Sequence, residues 1–177
     1  ALGEYAGFFS FNYFNPPQTQ FFHVCFHTDQ NVIVGAPTGS GKTVAAELAM
    51  LRVFKTAPKR SVVYVGPMKA LVKERLNDWR PRLTALGKTM VELTGDFTPD
   101  AKAVQTADVI LTTPEKWDGI TRLWANRPFV RRAALVILDE VHILGEERGP
   151  AIEAIVARTH QIGAKTGNPV RILALTT

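Results

Sequence analysis

The stretch VGAPTGSGKTVAAEL, from Val34 to Leu48, joins a short apolar run to an alanine-rich segment through three glycines and a lysine. Ala36, Gly41, Lys42 and Thr43 fit the phosphate-binding loop pattern [AG]-x-x-x-x-G-K-[ST], with alanine in its first place. Glycine allows backbone conformations that other residues avoid, so successive N–H groups can turn towards phosphate oxygens. A helix that begins near Lys42 would add positive potential at its N-terminus. The stretch therefore predicts a phosphate-binding loop (P-loop) between a strand and a helix.

The P-loop sits within a regular alternation of strand and helix patterns. Helical patterns separate the short runs rich in branched apolar residues, and one of these helices is expected to end before Pro81. Such alternation with short connections predicts an α/β fold with a parallel sheet covered by helices on both faces, and a ligand site beyond the carboxyl ends of the strands. The predicted strands are 31–34, 61–65, 90–93, 108–112, 134–139 and 170–175.

Residue chemistry suggests how the loop would hold a nucleotide. Lys42 would place its charge at the β and γ phosphates, and the Thr43 hydroxyl would ligate Mg²⁺. The alternative, a glycine-rich turn that happens to carry Lys-Thr, is disfavoured because strand, loop and helix all stand in the required order. The predicted contacts to the nucleotide in this loop are Pro37, Thr38, Gly39, Ser40, Gly41, Lys42 and Thr43.

A second motif, LVILDEVH, ends another predicted buried strand. Asp139 would hold Mg²⁺, while Glu140 could orient the attacking water and accept its proton. Adjacent acids after an apolar strand point in different directions, which suits two roles. A solvated pair of acids at a strand end is the alternative, and the nearby P-loop motif favours catalysis over it.

Composition limits the class of protein. Hydrophobic residues make up 46% of the chain and charged residues 21%, which predicts one folded domain with a buried core. No apolar run approaches the roughly 20 residues that cross a bilayer, so we expect a soluble, intracellular protein with no membrane partner. The single cysteine, Cys25, is expected to be a small buried hydrophobe. A net charge of +5 would favour a polyanionic partner if the charges lay on one face.

These motifs together resemble a known family. APTGSGKT and DEVH resemble motifs I and II of the superfamily two DExH helicases, and further stretches resemble the Ski-like branch of that superfamily and its tandem-cassette members. The resemblance covers the chain from Phe14 to Thr177 and implies a RecA-like P-loop NTPase domain of an ATP-dependent nucleic-acid helicase. The stretches are FNPPQTQ, PMKALVKER, ELTGD, TTPEKWDGITR and HILGEERGP.

The resemblance also implies roles for individual residues. Gln18 would select the adenine of ATP with Phe14 near the base, a surface glutamine being the alternative. His142 would link the nucleotide site to the rest of the motor and joins Lys42, Asp139 and Glu140 as a candidate catalytic residue. Contacts to a nucleic-acid backbone are implied for Lys69, Thr94, Gly95, Thr113 and Pro114, although Lys69 could equally be a solvated helix charge.

The end of the chain resembles motif III. In LALTT, Thr176 replaces the family's serine and keeps its hydroxyl, and both Thr176 and Thr177 are predicted coupling residues. We expect residues 1–177 to be one RecA-like ATP-binding domain, the first lobe only. The second lobe, with its arginine finger, would lie outside this chain, so the fragment would hydrolyse ATP negligibly.

For the parent protein, the resemblance implies 3′ to 5′ translocation and duplex unwinding. Its partners would be single-stranded or partly duplex nucleic acid, the second lobe and a multi-subunit complex. The location would be nuclear, with a cytoplasmic location left open, and DNA and RNA stay equal alternatives.

Other functions are disfavoured. A P-loop kinase would share the cradle but has no reason to carry TTPEKW and PMKAL. A noncatalytic cassette that serves as a protein-binding platform is the more serious alternative.

A metal site at His23, Cys25 and His27 is disfavoured because Cys25 would point off the face of the two histidines. The three tryptophans are expected to pack in the core and not to stack on nucleic-acid bases. They are Trp79, Trp117 and Trp124.

Overall fold

A parallel six-stranded sheet forms the centre of the part of the chain that the computed structural model describes, residues 2–95 and 99–177, with only the backbone for 143–148. The strand order is β1-β6-β5-β2-β4-β3. Every predicted strand is present, and each boundary lies within one residue of its prediction. The strands are β1 (Val32–Gly35), β2 (Ser61–Val65), β3 (Met90–Leu93), β4 (Val109–Thr112), β5 (Ala133–Leu138) and β6 (Arg171–Thr176).

Helices connect consecutive strands and cover the sheet. Short 3₁₀ helices occur at Gly3–Phe8, Trp124–Asn126 and Val141–Leu144. No helix in the described ranges is long and apolar enough to cross a membrane. The α-helices are α1 (Pro16–His27), α2 (Thr43–Thr56), α3 (Lys69–Ala85), α4 (Ala101–Thr106), α5 (Pro114–Thr121), α6 (Pro128–Arg131) and α7 (Gly145–Thr166).

The two faces of the sheet belong to two separate hydrophobic clusters. Along β2, Val62 and Tyr64 pack into a cluster with residues of α1, α2 and α3, whereas Val63 and Val65 pack into a cluster with residues of α5 and α7. All five residues of β2 are buried, as expected for a central strand of a parallel sheet. The predicted α/β architecture, with helices on both faces, is therefore confirmed.

The prediction that a helix ends before Pro81 is wrong. Helix α3 continues through Pro81 to Ala85. Proline in a helix loses one backbone hydrogen bond and costs about 3 kcal/mol, but Trp79 and Leu83 lie on either side of it and are fully buried. Their burial favours an unbroken helix by a comparable amount, because a fully buried large apolar side chain contributes about 1.5–3 kcal/mol.

Trp79, Trp117 and Cys25 pack in the core as the favoured interpretations predict, whereas Trp124 is half-buried against the cluster that includes α5 and α7. Trp79 and Trp117 are at most 1% exposed. Cys25 is buried in the cluster beneath α1, while His23 and His27 face solvent on the same helix with ring centroids 5.5 Å apart. Burial raises the pKa of the Cys25 thiol to about 11, so it stays a protonated, unreactive thiol at neutral pH.

Arg171, the first residue of β6, ties the end of α1 to the sheet. Its guanidinium donates to the backbone carbonyls of Val24, Cys25 and Gln30 at 2.8, 2.9 and 2.7 Å. The residue is only 6% exposed, and the C-terminal carbonyls of a helix carry partial negative charge. This contact anchors the helix that carries the Gln18 motif, far along the chain from β6.

We expect Arg171→Met to lower the free energy of unfolding by about 3 kcal/mol, because the carbonyls lose charged donors while the alkyl packing is kept. Arg131→Met, at an exposed position in α6, is the matched control and should change stability by less than about 0.5 kcal/mol. Urea denaturation followed by circular dichroism measures both. Equal effects of the two substitutions would contradict the anchoring role.

Candidate active site

The P-loop connects the end of β1 to the first turn of α2, as predicted. Gly39 and Gly41 have positive φ angles of 81° and 82°, a region that L-residues avoid. These two glycines therefore allow the tight turn that brings the loop back to the helix N-terminus. The Ser40 N–H donates to the Pro37 carbonyl at 3.1 Å and closes the turn.

Lys42 lies within the P-loop and is only 7% exposed. Its Nζ donates to the Ala36 carbonyl at 2.6 Å. The loop is thus wrapped around an ammonium group. The Ser40 hydroxyl is also buried and has no hydrogen-bond partner among the described residues. A phosphate oxygen is a stronger acceptor than a carbonyl, so this cradle suits a polyphosphate anion.

The start of α1 packs against the P-loop. Asn15 and Gln18 form a reciprocal capping box, in which the Gln18 N–H donates to Asn15 Oδ1 and the Asn15 N–H donates to Gln18 Oε1, both at 2.9 Å. Asn15 Nδ2 also donates to the Ser40 carbonyl at 3.0 Å. Sequence analysis missed Asn15, although an asparagine three residues before a glutamine at a helix start is a known capping signal.

Gln18 is 7% exposed, so the alternative of a surface glutamine is wrong. A Cβ atom built on Gly41 would lie 2.3 Å from Gln18 Nε2, which shows how closely the amide contacts the loop. Phe14 is half-buried and packs at 5.2 Å from Phe22 in a row of phenylalanine rings. The roles of Gln18 and Phe14 towards adenine stay predictions.

Asp139 follows β5 and lies at the carboxyl edge of the sheet. Its N–H donates to the Val65 carbonyl at 3.0 Å, and it is 8% exposed. Oδ1 accepts from the Glu140 N–H at 2.9 Å, and Oδ2 accepts from the Tyr64 hydroxyl. Burial, followed by the neighbouring Asp139 carboxylate, raises the pKa of Tyr64, so the phenol stays a donor. Each carboxylate oxygen accepts one hydrogen bond from the described residues, and a carboxylate oxygen has a second lone pair that could bind a metal or its water.

Glu140 turns the chain sharply after Asp139. Its φ of 49° is the one positive value at a non-glycine residue in the described ranges. Residues held in this conformation are strained and often occur at functional sites. Glu140 Oε2 is buried, has no hydrogen-bond partner within the part of the chain that the structure describes, and lies 3.4 Å from His142 Nδ1. A buried carboxylate oxygen that lacks a donor fits the predicted task of accepting a proton from water.

His142 contacts the end of β6. Its Nδ1 accepts from the Thr177 N–H and lies next to the Thr176 hydroxyl, both at 3.3 Å. Because a backbone N–H can only donate, Nδ1 is the acceptor in the contact with Thr177.

Thr176 links the two motifs. Its carbonyl accepts from the Ala36 N–H at 3.1 Å, and its hydroxyl faces His142. The P-loop, the end of β6 and the DEVH motif are thus joined by consecutive hydrogen bonds. The structure brings these residues together, and their role in coupling stays a prediction.

The predicted nucleic-acid contacts differ in accessibility. Lys69 and Gly95 are exposed neighbours, since a Cβ on Gly95 would lie 3.6 Å from Lys69 Nζ. Thr94 is 1% exposed and its hydroxyl donates to Glu92 at 2.7 Å, while Thr113 and Pro114 are buried at the start of α5. Thr94 is therefore enclosed as a whole residue, and its contact with nucleic acid stays a prediction. The side chains of residues 143–148 in HILGEERGP lie outside the described part.

Comparison with known proteins assigns the chain to a family. The family model described as DEAD/DEAH box helicase matches residues 15–177. The chain belongs to the DEAD/DEAH box helicase family, a family of ATP-binding domains, and the expected resemblance is confirmed.

Individual relatives agree with this assignment. The chain is 56% identical over 180 residues to activating signal cointegrator 1 complex subunit 3 from Homo sapiens, with all of this chain and 8% of that protein covered. It is 51% identical over 170 residues to the RQC trigger complex helicase SLH1 of Saccharomyces cerevisiae, with 96% and 9% covered. The chain therefore spans less than about a tenth of the length of these relatives.

Solved structures give the same fold at low sequence identity. The crystal structure of DUF1998 helicase MrfA bound to DNA and AMPPNP superposes with a TM-score of 0.84 at 17% identity, covering 99% of this chain and 26% of that one.

The contact between Gly41 and Gln18 can be tested by adding a single methyl group. Gly39→Ala, where no atom lies within 4 Å of the new Cβ, should cost only the backbone strain of about 1–2 kcal/mol in unfolding free energy. Gly41→Ala has a similar φ but also displaces Gln18, so we expect a larger loss. Urea denaturation measures both variants.

A Gln18→Ala background provides the control. If the amide causes the extra cost, Gly41→Ala should become as mild as Gly39→Ala when Gln18 is shortened. An undiminished penalty in the double variant would contradict the assigned contact.

Proposed function

We propose that this domain is the ATP-binding lobe of a helicase that couples ATP hydrolysis to 3′ to 5′ movement along a nucleic acid and to duplex unwinding. The observation that carries the proposal is a series of hydrogen bonds that links Ala36 to Thr176 and Thr176 to His142. Glu140 Oε2 lies 3.4 Å from His142 Nδ1 at the end of this series. The P-loop and the two acids lie at one edge of the sheet with Thr176 and His142 between them, and this arrangement supports the proposal.

The residues of the site have separate tasks in this mechanism. The loop amides and the Lys42 ammonium bind the β and γ phosphates. Thr43 and Asp139 would hold Mg²⁺, which neutralises the charge that develops on the transferred phosphoryl group. Glu140 orients the attacking water and accepts its proton through the unpartnered Oε2. Gln18 and Phe14, at the start of α1, would contact the base.

We further propose that the domain works opposite a second RecA-like lobe, as in the helicases that it resembles. An arginine finger from such a lobe is worth about 10³–10⁵ in the rate of phosphoryl transfer. ATP that bridges both lobes would close the cleft, and hydrolysis would open it again. His142 and Thr176 are the contacts through which this closure would reach the acids.

Charge and names of relatives support the proposed partners. The net charge of +5 favours a polyanion. One relative is named as a subunit of a complex, and a protein of the same fold is described as bound to DNA. We propose single-stranded or partly duplex nucleic acid, either DNA or RNA, as the substrate, a multi-subunit complex as the setting, and a nuclear location with a cytoplasmic one left open.

The 177-residue chain alone should bind ATP weakly and hydrolyse it at close to the background rate, because the proposed second lobe would supply the arginine finger that stabilises the transition state. Isothermal titration calorimetry measures the binding, and a phosphate-release assay measures turnover with and without single-stranded nucleic acid. Robust turnover that nucleic acid stimulates would contradict the need for a second lobe.

In the full-length protein, Glu140→Gln should lower the rate of ATP hydrolysis by at least about 100-fold without abolishing ATP binding. Glu153→Gln, an exposed acid on α7, is the control and should retain the wild-type rate. Nucleic-acid-stimulated ATPase assays measure both variants. If wild type and Glu140→Gln hydrolyse at equal rates, the alternative of a noncatalytic, protein-binding cassette is favoured.

A further inference from the structure

We propose that Tyr64 is a positioning residue for Asp139, and that it sets the affinity of the nucleotide site for Mg²⁺. The inference rests on the proposed function, in which Asp139 holds the metal. Nothing in the sequence motifs singles out Tyr64, which lies before PMKALVKER in a buried strand. Its hydroxyl is nevertheless the side-chain donor to the acid that ends β5.

Sheet register brings the two residues together. Tyr64 pairs with Ile137 and Val65 pairs with Leu138 across the β2–β5 ladder. The Asp139 N–H continues this ladder by donating to the Val65 carbonyl at 3.0 Å. The phenol therefore reaches Asp139 across neighbouring strands, and the ladder leaves little freedom in the position of either backbone.

Within the described ranges, each oxygen of the Asp139 carboxylate accepts from one donor. The Glu140 N–H fixes Oδ1 at 2.9 Å, and the Tyr64 hydroxyl fixes Oδ2. Removal of the hydroxyl would leave Oδ2 without this donor and free the carboxylate to rotate about its Cβ–Cγ bond. Partners that orient a metal-binding carboxylate typically change metal affinity by about 10–100-fold when they are lost.

Helix α3 in turn fixes the Tyr64 ring. The Trp79 ring packs edge-on against it with centroids 5.3 Å apart. The Arg75 guanidinium stacks 5.5 Å from the Trp79 ring. A Cβ on Gly66 would lie 2.9 Å from Val72 and 3.1 Å from Tyr64, so β2 and α3 fit closely here.

The same packing connects Tyr64 to the N-terminal part of helix α3. Helix α3 begins at Lys69, a predicted nucleic-acid contact, and its next turns hold the ring of Tyr64 through Arg75 and Trp79. Any shift of α3 must therefore move the phenol or break its packing, since close-packed interiors transmit displacement. The position of Asp139 depends in this way on the helix that would contact the nucleic acid.

The test is Tyr64→Phe, which removes one hydroxyl and keeps the buried ring. Tyr5→Phe is the matched control, because Tyr5 is also a buried tyrosine, 8% exposed, in the N-terminal 3₁₀ helix. Binding of the nonhydrolysable ATP analogue AMPPNP to the purified chain is measured by calorimetry over a range of Mg²⁺ concentrations, and without Mg²⁺. Circular dichroism confirms that each variant is folded.

We expect Tyr64→Phe to raise the Mg²⁺ concentration for half-maximal enhancement of binding by about tenfold or more, with the metal-free affinity unchanged. Tyr5→Phe should behave as wild type. A purely packing role for Tyr64 would weaken metal-free and metal-dependent binding alike, and that result overturns the inference. So does a wild-type Mg²⁺ dependence in folded Tyr64→Phe.

The result for the wild-type chain separates the two proposals. If its nucleotide binding is enhanced by Mg²⁺ and Tyr64→Phe is unaffected, only the positioning role fails. If the wild-type chain shows no nucleotide binding that Mg²⁺ enhances, the proposed function fails as well, and the inference is overturned with it.

Discussion

The domain depends on one constraint, the convergence of parallel strands at a single edge of the sheet. Helical crossovers return the chain so that β1, β6 and β5 all end side by side. The P-loop follows β1, the DEVH acids follow β5, and Thr176 ends the strand between them. The hydrogen bond from the Ala36 N–H to the Thr176 carbonyl extends the sheet directly into the site.

Polar contacts, most of them buried and the one from Asn15 to the P-loop exposed, then determine which conformation the edge adopts. Lys42 folds onto its own loop, Asn15 and Gln18 hold the loop to α1, and Arg171 anchors the far end of that helix. A buried polar group without a partner costs about 1–3 kcal/mol, so these contacts strongly disfavour other arrangements. Among the described residues, the exceptions are Ser40 Oγ in the P-loop and Glu140 Oε2 in the DEVH motif, together with Ser61 Oγ at the start of β2 and Arg75 Nε in α3.

Local sequence patterns predicted the structure correctly where a single physical effect determined it. Branched apolar runs predicted the strands, because a central parallel strand is buried on both faces. The P-loop glycines predicted positive φ at residues 39 and 41. Pro81 misled because local propensity opposed the packing of Trp79 and Leu83, and packing was stronger. Asn15 was missed although its capping signal was present in the sequence.

The α/β class, the strands and the residues that can hold a phosphate or act on water could all be predicted from the sequence, because they follow from periodicity, backbone preference and side-chain chemistry. The folded chain was needed to show that Gln18 is buried against Gly41, that Thr94 is enclosed, and that Tyr64 donates to Asp139. Each of these contacts joins segments that are distant in the chain or depends on burial, and both arise from strand order and packing rather than from local sequence.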